Sequence, residues 1–179
     1  MKAMIVYSSK TGFTKRYAQW LAEALGAEMI PFEEARKKDD SFFADAQAIL
    51  YGGWAMGGKI VNSEWFKGKI SGWKGKKLAL FCVGASPNEL PDVETALHNA
   101  LTDEERKYAR AFYCQGGLAY EKMSLPFKMM MKAYAGMMKK KKDATQMEKD
   151  MAEMICHSYD ISDRKFIEPI VEYIQGSKE

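Results

Sequence analysis

The chain alternates short apolar segments with amphipathic ones, and this alternation limits the folds open to it. The apolar segments typical of strands are Ala3–Tyr7, Glu28–Phe32, Ala48–Tyr51, Lys77–Val83 and Arg110–Gln115. The amphipathic segments typical of helices are Thr14–Leu25, Asp40–Asp45, Ser63–Ser71, Pro91–Leu101 and Phe166–Ile174. Strands that alternate with helices build a parallel sheet that is covered on both faces. We therefore predict an α/β fold with five parallel strands.

The length and composition fit a single domain, which we expect to span residues 1–179. Apolar residues make up 47% of the chain and charged residues 28%, as in an ordinary globular protein. No stretch approaches the roughly 18 consecutive apolar residues that span a bilayer. The segment Met1–Tyr7 resembles a strand rather than a signal sequence, so we expect a cytoplasmic protein. The net charge of +3 is mild, and we expect no nucleic-acid partner.

A long segment separates the fifth predicted strand from the closing helix. The crossover between parallel strands needs about a dozen residues, so we predict a helical insertion at about 118–160. Its first part, Lys122–Lys142, contains seven lysines and no acidic residue. At helical spacing, one face carries Phe127, Met130, Met131, Tyr134 and Met138, and another carries Lys128, Lys132 and Lys139. This helix either packs on the protein's own core or receives a hydrophobic substrate or an anionic membrane surface.

The loop after the first strand has the composition of a phosphate site. Loop one consists of Ser8, Ser9, Lys10, Thr11, Gly12, Phe13 and Thr14. Hydroxyl groups and a glycine before a helix N-terminus suit a phosphate, because backbone N–H groups and the helix dipole favour an anion there. The same residue types also cap helices that bind no ligand, so loop one alone leaves both interpretations open.

Other phosphate-binding motifs are absent from the chain. It lacks GxGxxG, the dinucleotide fingerprint, and GxxxxGK[ST], the P-loop of nucleotidases. A receiver domain needs an acidic cluster after the first strand and an aspartate at the end of the third. This chain has Ser8 and Tyr51–Gly52 at those places.

The loops after the other strands add features of a binding site for a planar ligand. Loop three, Gly52–Lys59, contains Gly52, Gly53, Trp54, Ala55 and Met56. Its glycines allow a close approach, and Trp54 at its tip offers a stacking face. Loop four contributes Gly84, Ala85 and Ser86, and loop five contributes Gly116 and Gly117. In an open parallel sheet these loops meet beyond the carboxyl ends of the strands. Together with loop one, they predict a binding site for a flat ring with a phosphate tail. FMN has this shape.

The motif of loop one resembles that of the flavodoxins. Their pattern [ST]-x-[ST]-G-x-[ST] fits Ser9–Thr14, with Phe13 in place of the asparagine common in that family. The resemblance implies a three-layer sandwich with strand order 2-1-3-4-5, and phosphate contacts from Ser9, Thr11, Gly12 and Thr14. Tyr51-Gly52-Gly53 and the lysine-rich insertion are similar to the flavodoxin-domain proteins that resemble menaquinone-dependent protoporphyrinogen dehydrogenase. No catalytic residue is implied, because the chemistry belongs mainly to the flavin.

Three functions remain open from the sequence. The first is an FMN-dependent oxidoreductase that acts on a hydrophobic substrate such as a quinone or tetrapyrrole. The second is an electron-carrier flavodoxin with protein redox partners, and the third is a scaffold without cofactor. Carrier flavodoxins are usually strongly acidic, whereas this chain has a net charge of +3, which favours the first function.

The cysteine and histidine residues give no further site. Cys82, Cys114 and Cys156 lack the spacing of redox or metal-binding motifs, and we interpret them as reduced thiols. His98 and His157 have no partner at metal-ligand spacing, so no metal ligands are assigned.

Overall fold

The computed structural model describes residues 1–176 and contains the predicted parallel sheet. Its parallel strands are β1 (Ala3–Tyr7), β2 (Glu28–Pro31), β3 (Ala48–Met56), β5 (Lys77–Gly84) and β6 (Ala109–Gln115). Their order is β2-β1-β3-β5-β6, and a short strand β4 (Lys59–Ile60) pairs antiparallel with the end of β3. Counted over the parallel strands alone, this is the predicted order 2-1-3-4-5, and the prediction is confirmed.

Helices cover both faces of the sheet. They are α1 (Phe13–Leu25), α2 (Phe32–Ala35), α3 (Ser63–Lys67), α4 (Pro91–Ala100) and α7 (Glu168–Gln175). The helices predicted over Asp40–Asp45 and Ser63–Ser71 are shorter than expected. The first is only a 3₁₀ turn, Asp40–Phe43, and the second is α3 followed by the 3₁₀ turn Ile70–Trp73. On one face, α1 and α7 bury Leu21 and Ile170, and on the other face Phe43 and Trp73 form an aromatic cluster.

The third strand is longer than the sequence predicts. The prediction ended it at Tyr51 and placed Gly52–Gly58 in a loop, whereas β3 continues to Met56 and turns back into β4. The turn is made by Gly57 and Gly58, which have φ angles of 57° and 75°. Two consecutive residues with positive φ form the tight hairpin that joins antiparallel strands. Loop three is therefore a β-hairpin, and its tip is formed by Gly57 and Gly58 rather than by Trp54.

The insertion contains two helices and a small second sheet. Its elements are β7 (Gly117–Leu118), α5 (Leu125–Lys140), α6 (Gln146–Met154) and β8 (Tyr159–Asp160), with β7 and β8 antiparallel. A separate insertion core joins it to α4 and comprises Leu90, Val93, Leu118, Ala135, Met151 and Ile155. Thr145 and Glu148 form a capping box that begins α6. No helix within residues 1–176 has the length and apolar character needed to cross a membrane.

Candidate cofactor site

A cavity of about 400 Å³ lies at the carboxyl ends of the parallel strands. We call it the main cavity. Its walls come from loop one, the β3–β4 hairpin, the end of β5, the β7 segment and one side of α5. A shallower side groove of about 440 Å³ lies on the other side of loop one, between Ser9, Pro31 and Asn62. Lys10 and Trp54 border both the cavity and the groove.

In the described part of the chain, loop one leaves polar groups without partners at the start of α1. Gly12 adopts a φ of 106° at the start of α1, and neither a capping side chain nor an acidic residue occupies the first turn. The Oγ atom of Ser9 is buried and has no hydrogen-bond partner among residues 1–176. A buried hydroxyl without a partner costs about 1–3 kcal/mol, so a bound acceptor would recover that energy. Ser9 and the uncapped helix N-terminus together favour the phosphate interpretation over simple capping.

The hydroxyl of Ser8 serves the fold instead. Its Oγ is 2.9 Å from the Tyr51 hydroxyl and accepts a hydrogen bond of 3.1 Å from Asn62 Nδ2. Its backbone N–H donates to Gly52 O at 2.8 Å, and the Tyr51 hydroxyl donates to Val61 O at 2.8 Å. Because these polar groups are already engaged, the hydroxyl of Ser8 supports loop one from below, and its assignment as a binding residue stays a prediction.

The remaining side chains of loop one border the main cavity. Thr11, Phe13 and the fully buried Thr14 line it. The Nζ atom of Lys10 lies 3.9 Å from the centre of the Phe127 ring of α5, a cation–π contact. Lys122 Nζ donates to Thr11 O at 3.4 Å. Loop one is thus in contact with the insertion at two points.

The hairpin supplies Trp54, Ala55 and Met56 to the main cavity, but not the first two glycines of loop three. A Cβ atom at Gly52 would lie 2.0 Å from the Phe81 ring, and one at Gly53 would lie 2.6 Å from Val61 O. These glycines therefore allow close packing inside the protein, and neither lines the main cavity. The expectation that they bring the backbone close to a ligand stays a prediction.

Part of loop four lines the main cavity, and part of it is bonded to the rest of the protein. Gly84 and Ala85 line the main cavity, whereas Ser86 lies on the far side, against a neighbouring cavity of about 380 Å³. The Tyr113 hydroxyl accepts a hydrogen bond of 3.1 Å from Ser86 N–H and donates one of 2.8 Å to Ser86 O. The backbone N–H and C=O of Ser86 are thereby both bonded to Tyr113, and the assignment of Ser86 as a ring contact stays a prediction. Burial raises the pKa of Tyr113 well above its ordinary value, so the hydroxyl stays protonated.

Loop five is shaped by close packing as well. A Cβ atom at Gly116 would lie 2.8 Å from Val83, and one at Gly117 would lie 2.1 Å from Tyr159 O. Gly117 borders the main cavity, and Gly116 supports the segment behind it. Both positions exclude a side chain because the β8 strand and the end of β5 come close to them.

One wall of the main cavity was missing from the sequence-based site. It comes from the insertion and consists of Met123, Phe127, Met130, Met131 and Tyr134. The periodicity of α5 did predict an apolar face with four of these residues. The periodicity does not say which surface that face meets, since α5 is far in sequence from the loops that it approaches.

The fold and this site define a class of protein. A doubly wound parallel sheet, with an uncapped N-terminus at the first helix and a cavity at the carboxyl ends of the strands, is typical of proteins that bind a phosphate-bearing nucleotide cofactor. The sequence model of the flavodoxin domain family matches residues 4–145. The chain therefore belongs to the flavodoxin domain family, and FMN is its cofactor.

The solved structures that this chain matches include three flavodoxins. A WrbA-like flavodoxin from Agrobacterium tumefaciens is 19% identical, with 86% of this chain and 94% of that chain covered and a TM-score of 0.48. Oxidised flavodoxin 2 from Bacillus cereus is 18% identical, with coverage of 87% and 97% and a TM-score of 0.46. Two-electron reduced Megasphaera elsdenii flavodoxin is 22% identical, with coverage of 86% and 98% and a TM-score of 0.44. A comparison with curated protein sequences finds no match.

Proposed function

We propose that the chain is an FMN-dependent oxidoreductase that transfers electrons to or from a hydrophobic substrate such as a quinone or tetrapyrrole. FMN supplies one- or two-electron transfer when it is bound. In this proposal Ser9, Thr11, Gly12 and Thr14 hold its phosphate. Its ring is bordered by Trp54, Ala55, Gly84 and Ala85, and the substrate contacts the apolar wall formed by α5.

The apolar wall that α5 adds to the main cavity is the observation that carries this proposal. Met131 and Phe127 are half-buried there, and Met130 and Tyr134 are 49% and 45% exposed at its rim. Methionine and aromatic side chains adapt to irregular apolar ligands. The crossover needs far fewer residues than this insertion contains, so the wall is an addition to the sheet and its loops. A hydrophobic substrate explains an apolar wall beside the flavin ring.

Reoxidation kinetics test the substrate class. The protein is loaded with FMN, reduced with dithionite and mixed with menadione while the flavin absorbance is recorded. Changing Met130 and Tyr134 to serine should slow reoxidation by menadione about tenfold, because apolar contacts to the substrate are lost. The matched control changes Met129 and Met137, which are 65% and 70% exposed on the same helix, to serine.

Ferricyanide, a small and strongly charged acceptor, should reoxidise all these proteins at similar rates. If menadione reacts equally fast with the rim variant, the control and the wild type, the cavity does not receive the hydrophobic substrate. That result would favour the second candidate function.

The second candidate is an electron carrier that serves protein partners. Met56 supports it, because this side chain is 42% exposed at the hairpin beside the main cavity and offers an apolar contact for a partner. Met56→Ser should then slow electron exchange with a flavodoxin reductase, and the rim variant of α5 should not.

A peripheral membrane contact would deliver a lipid-soluble substrate. Leu125, Met129 and Met137 are 71%, 65% and 70% exposed on α5, which carries no acidic residue and ends in Lys139 and Lys140. Exposed apolar side chains next to lysines suit an anionic bilayer surface. We therefore include this surface of α5 in the proposal as the membrane contact.

Vesicle sedimentation tests the membrane contact. Phosphatidylglycerol vesicles should retain the protein at low salt and release it as salt rises, because lysine attraction is screened. Changing Lys132, Lys139 and Lys140 to glutamine should abolish most of this retention. The charge-matched control changes Lys37, Lys38 and Lys74 instead, which are exposed elsewhere on the protein. Equal retention of both variants would remove the membrane contact from the proposal.

A further inference from the structure

A tyrosine of the insertion reaches back to loop four. The hydroxyl of Tyr159 in β8 donates a hydrogen bond of 2.7 Å to the carbonyl oxygen of Ala85, 74 residues earlier in the chain. Ala85 is one of the two loop-four residues that line the main cavity. The insertion therefore contacts this edge of the cavity through a specific bond as well as through the apolar wall of α5.

The neighbouring backbone groups of loop four are also occupied. Gly84 O accepts from Gly116 N–H at 2.7 Å, and both backbone groups of Ser86 bond to the Tyr113 hydroxyl. With Ala85 O held by Tyr159, the Ala85 N–H is left without a partner among residues 1–176. A donor beside a ligand cavity is available to a polar ring edge, and a held peptide loses little entropy when it binds one.

Tyr159 is itself held in place from two sides. Its residue pairs with Leu118 across the β7–β8 sheet, and Gly117 permits this approach because a side chain there would collide with Tyr159 O. The next residue, Asp160, accepts a hydrogen bond of 2.5 Å from Arg16 in α1. Burial raises the pKa of Tyr159, so its hydroxyl remains a donor throughout the physiological pH range. The position of the hydroxyl is therefore determined by the fold and not by a flexible side chain.

We propose that Tyr159 is a positioning residue for the flavin ring: it fixes the Ala85 peptide, whose free N–H then donates to the polar edge of the ring. The inference rests on the proposed function, since it needs FMN in the main cavity. It assigns a second role to the insertion, which holds the ring loop in addition to forming the substrate wall.

The test compares two single-atom changes in the insertion. Tyr159→Phe removes the bond to Ala85 O, and Tyr120→Phe removes an equivalent bond of 2.6 Å to Ile155 O that lies inside the insertion. Titrations of each apoprotein with FMN and with riboflavin are followed by quenching of flavin fluorescence. Tyr159→Phe should weaken both ligands by the same factor, about fivefold, because only the ring contact is disturbed. Tyr120→Phe should leave both affinities unchanged.

Amide NMR gives a readout that a purely structural role would not move. In the wild type, the Ala85 amide proton should shift downfield on addition of flavin, since it gains an acceptor. In Tyr159→Phe this shift should shrink, and the Ser86 amide of the apoprotein should exchange faster. Should Tyr159→Phe fold too poorly for titration, the wild-type protein still tests the proposal, because an Ala85 amide proton that does not shift on addition of flavin would overturn it.

Two outcomes would overturn the proposal. One is an unchanged riboflavin affinity together with an unchanged Ala85 shift in Tyr159→Phe. The other is an equal loss of affinity in Tyr159→Phe and Tyr120→Phe, which would make the effect one of general stability. A wild-type protein that binds no flavin would instead contradict the proposed function, and the faster Ser86 exchange of the apoprotein would still be expected.

Discussion

The two ends of the candidate flavin site are built in different ways. The proposed phosphate end is made by consecutive residues, Ser9–Thr14, between one strand and one helix. The ring end is assembled from the β3–β4 hairpin, the end of β5, the β7 segment and α5, which are distant from one another in the chain. One end is therefore a local motif, and the other depends on the whole fold.

The difference separates residues that face a ligand from residues that allow packing. At the phosphate end a buried hydroxyl, Ser9 Oγ, lacks a partner and the helix is uncapped. At the ring end most polar backbone groups of loop four are already bonded, and Gly52 and Gly53 accommodate the protein's own side chains. We infer that the phosphate end makes most of the polar contacts to the cofactor, and that the ring end binds it mostly by shape complementarity.

The largest expected effect is a loss of FMN affinity when the proposed phosphate end is altered. Changing Thr11 and Thr14 to valine removes two hydroxyl groups at the uncapped N-terminus of α1. Loss of two hydrogen bonds to a charged group should weaken FMN by about 3–6 kcal/mol. Riboflavin, which has no phosphate, should bind nearly as before, and calorimetric titration of both ligands measures the difference. Equal weakening of the two ligands would move the phosphate elsewhere.

The second expected effect concerns the ring end and the fold. Gly52→Ala places a methyl group 2.0 Å from the Phe81 ring, and overpacking of this kind should cost about 3 kcal/mol of unfolding free energy. Gly72→Ala is the control, because no heavy atom lies within 4 Å of its added Cβ and its stability should hardly change. Urea denaturation of the apoproteins provides the values. Unchanged stability with weaker flavin binding would contradict the packing role and support the assignment of Gly52 to the ligand site.

Much of the fold could be predicted from the sequence, because its signals are local. The bounds of β1 and the end of α1 at Gly26 follow from apolar runs and a glycine in the left-handed conformation. The hairpin was missed because Gly52 and Gly53 signal a loop, while their role inside β3 depends on Phe81 and Val61. Likewise the apolar face of α5 was visible, but its position over the cavity depends on contacts with residues more than 100 positions earlier.

Two neighbouring serines sharpen the comparison further. Ser9→Ala removes the unpartnered hydroxyl, so the apoprotein should become about 1 kcal/mol more stable while FMN binds about tenfold more weakly. Ser8→Ala should do the opposite and cost about 1–2 kcal/mol of stability, because Tyr51 and Asn62 lose a partner. Thermal unfolding and FMN titration of both variants give the four values. Similar behaviour of the two variants would contradict the distinction between them.

The smallest expected effect concerns the ion pair between Arg16 and Asp160, which joins α1 to β8 of the insertion. Burial raises the pKa of Asp160, but hydrogen bonds from Ser162 and Arg16 outweigh it and hold the pKa below its ordinary value of 3.8. The pair therefore stabilises the fold at pH above this value, and the contribution is lost as the pH falls through the lowered pKa. Since both side chains are about half exposed, the contribution should be under about 1 kcal/mol. Asp160→Asn should flatten the stability curve below about pH 4, and an unchanged curve would assign the acid dependence to other carboxylates.

Titration of the wild-type apoprotein with FMN tests the central claim most directly. Flavin fluorescence and calorimetry are recorded together as FMN is added. The account predicts binding at micromolar concentration or tighter, with fluorescence quenched by Trp54 beside the ring and partly restored in Trp54→Ala. Absence of FMN binding at micromolar concentration would contradict the assignment of the main cavity and loop one as the flavin site.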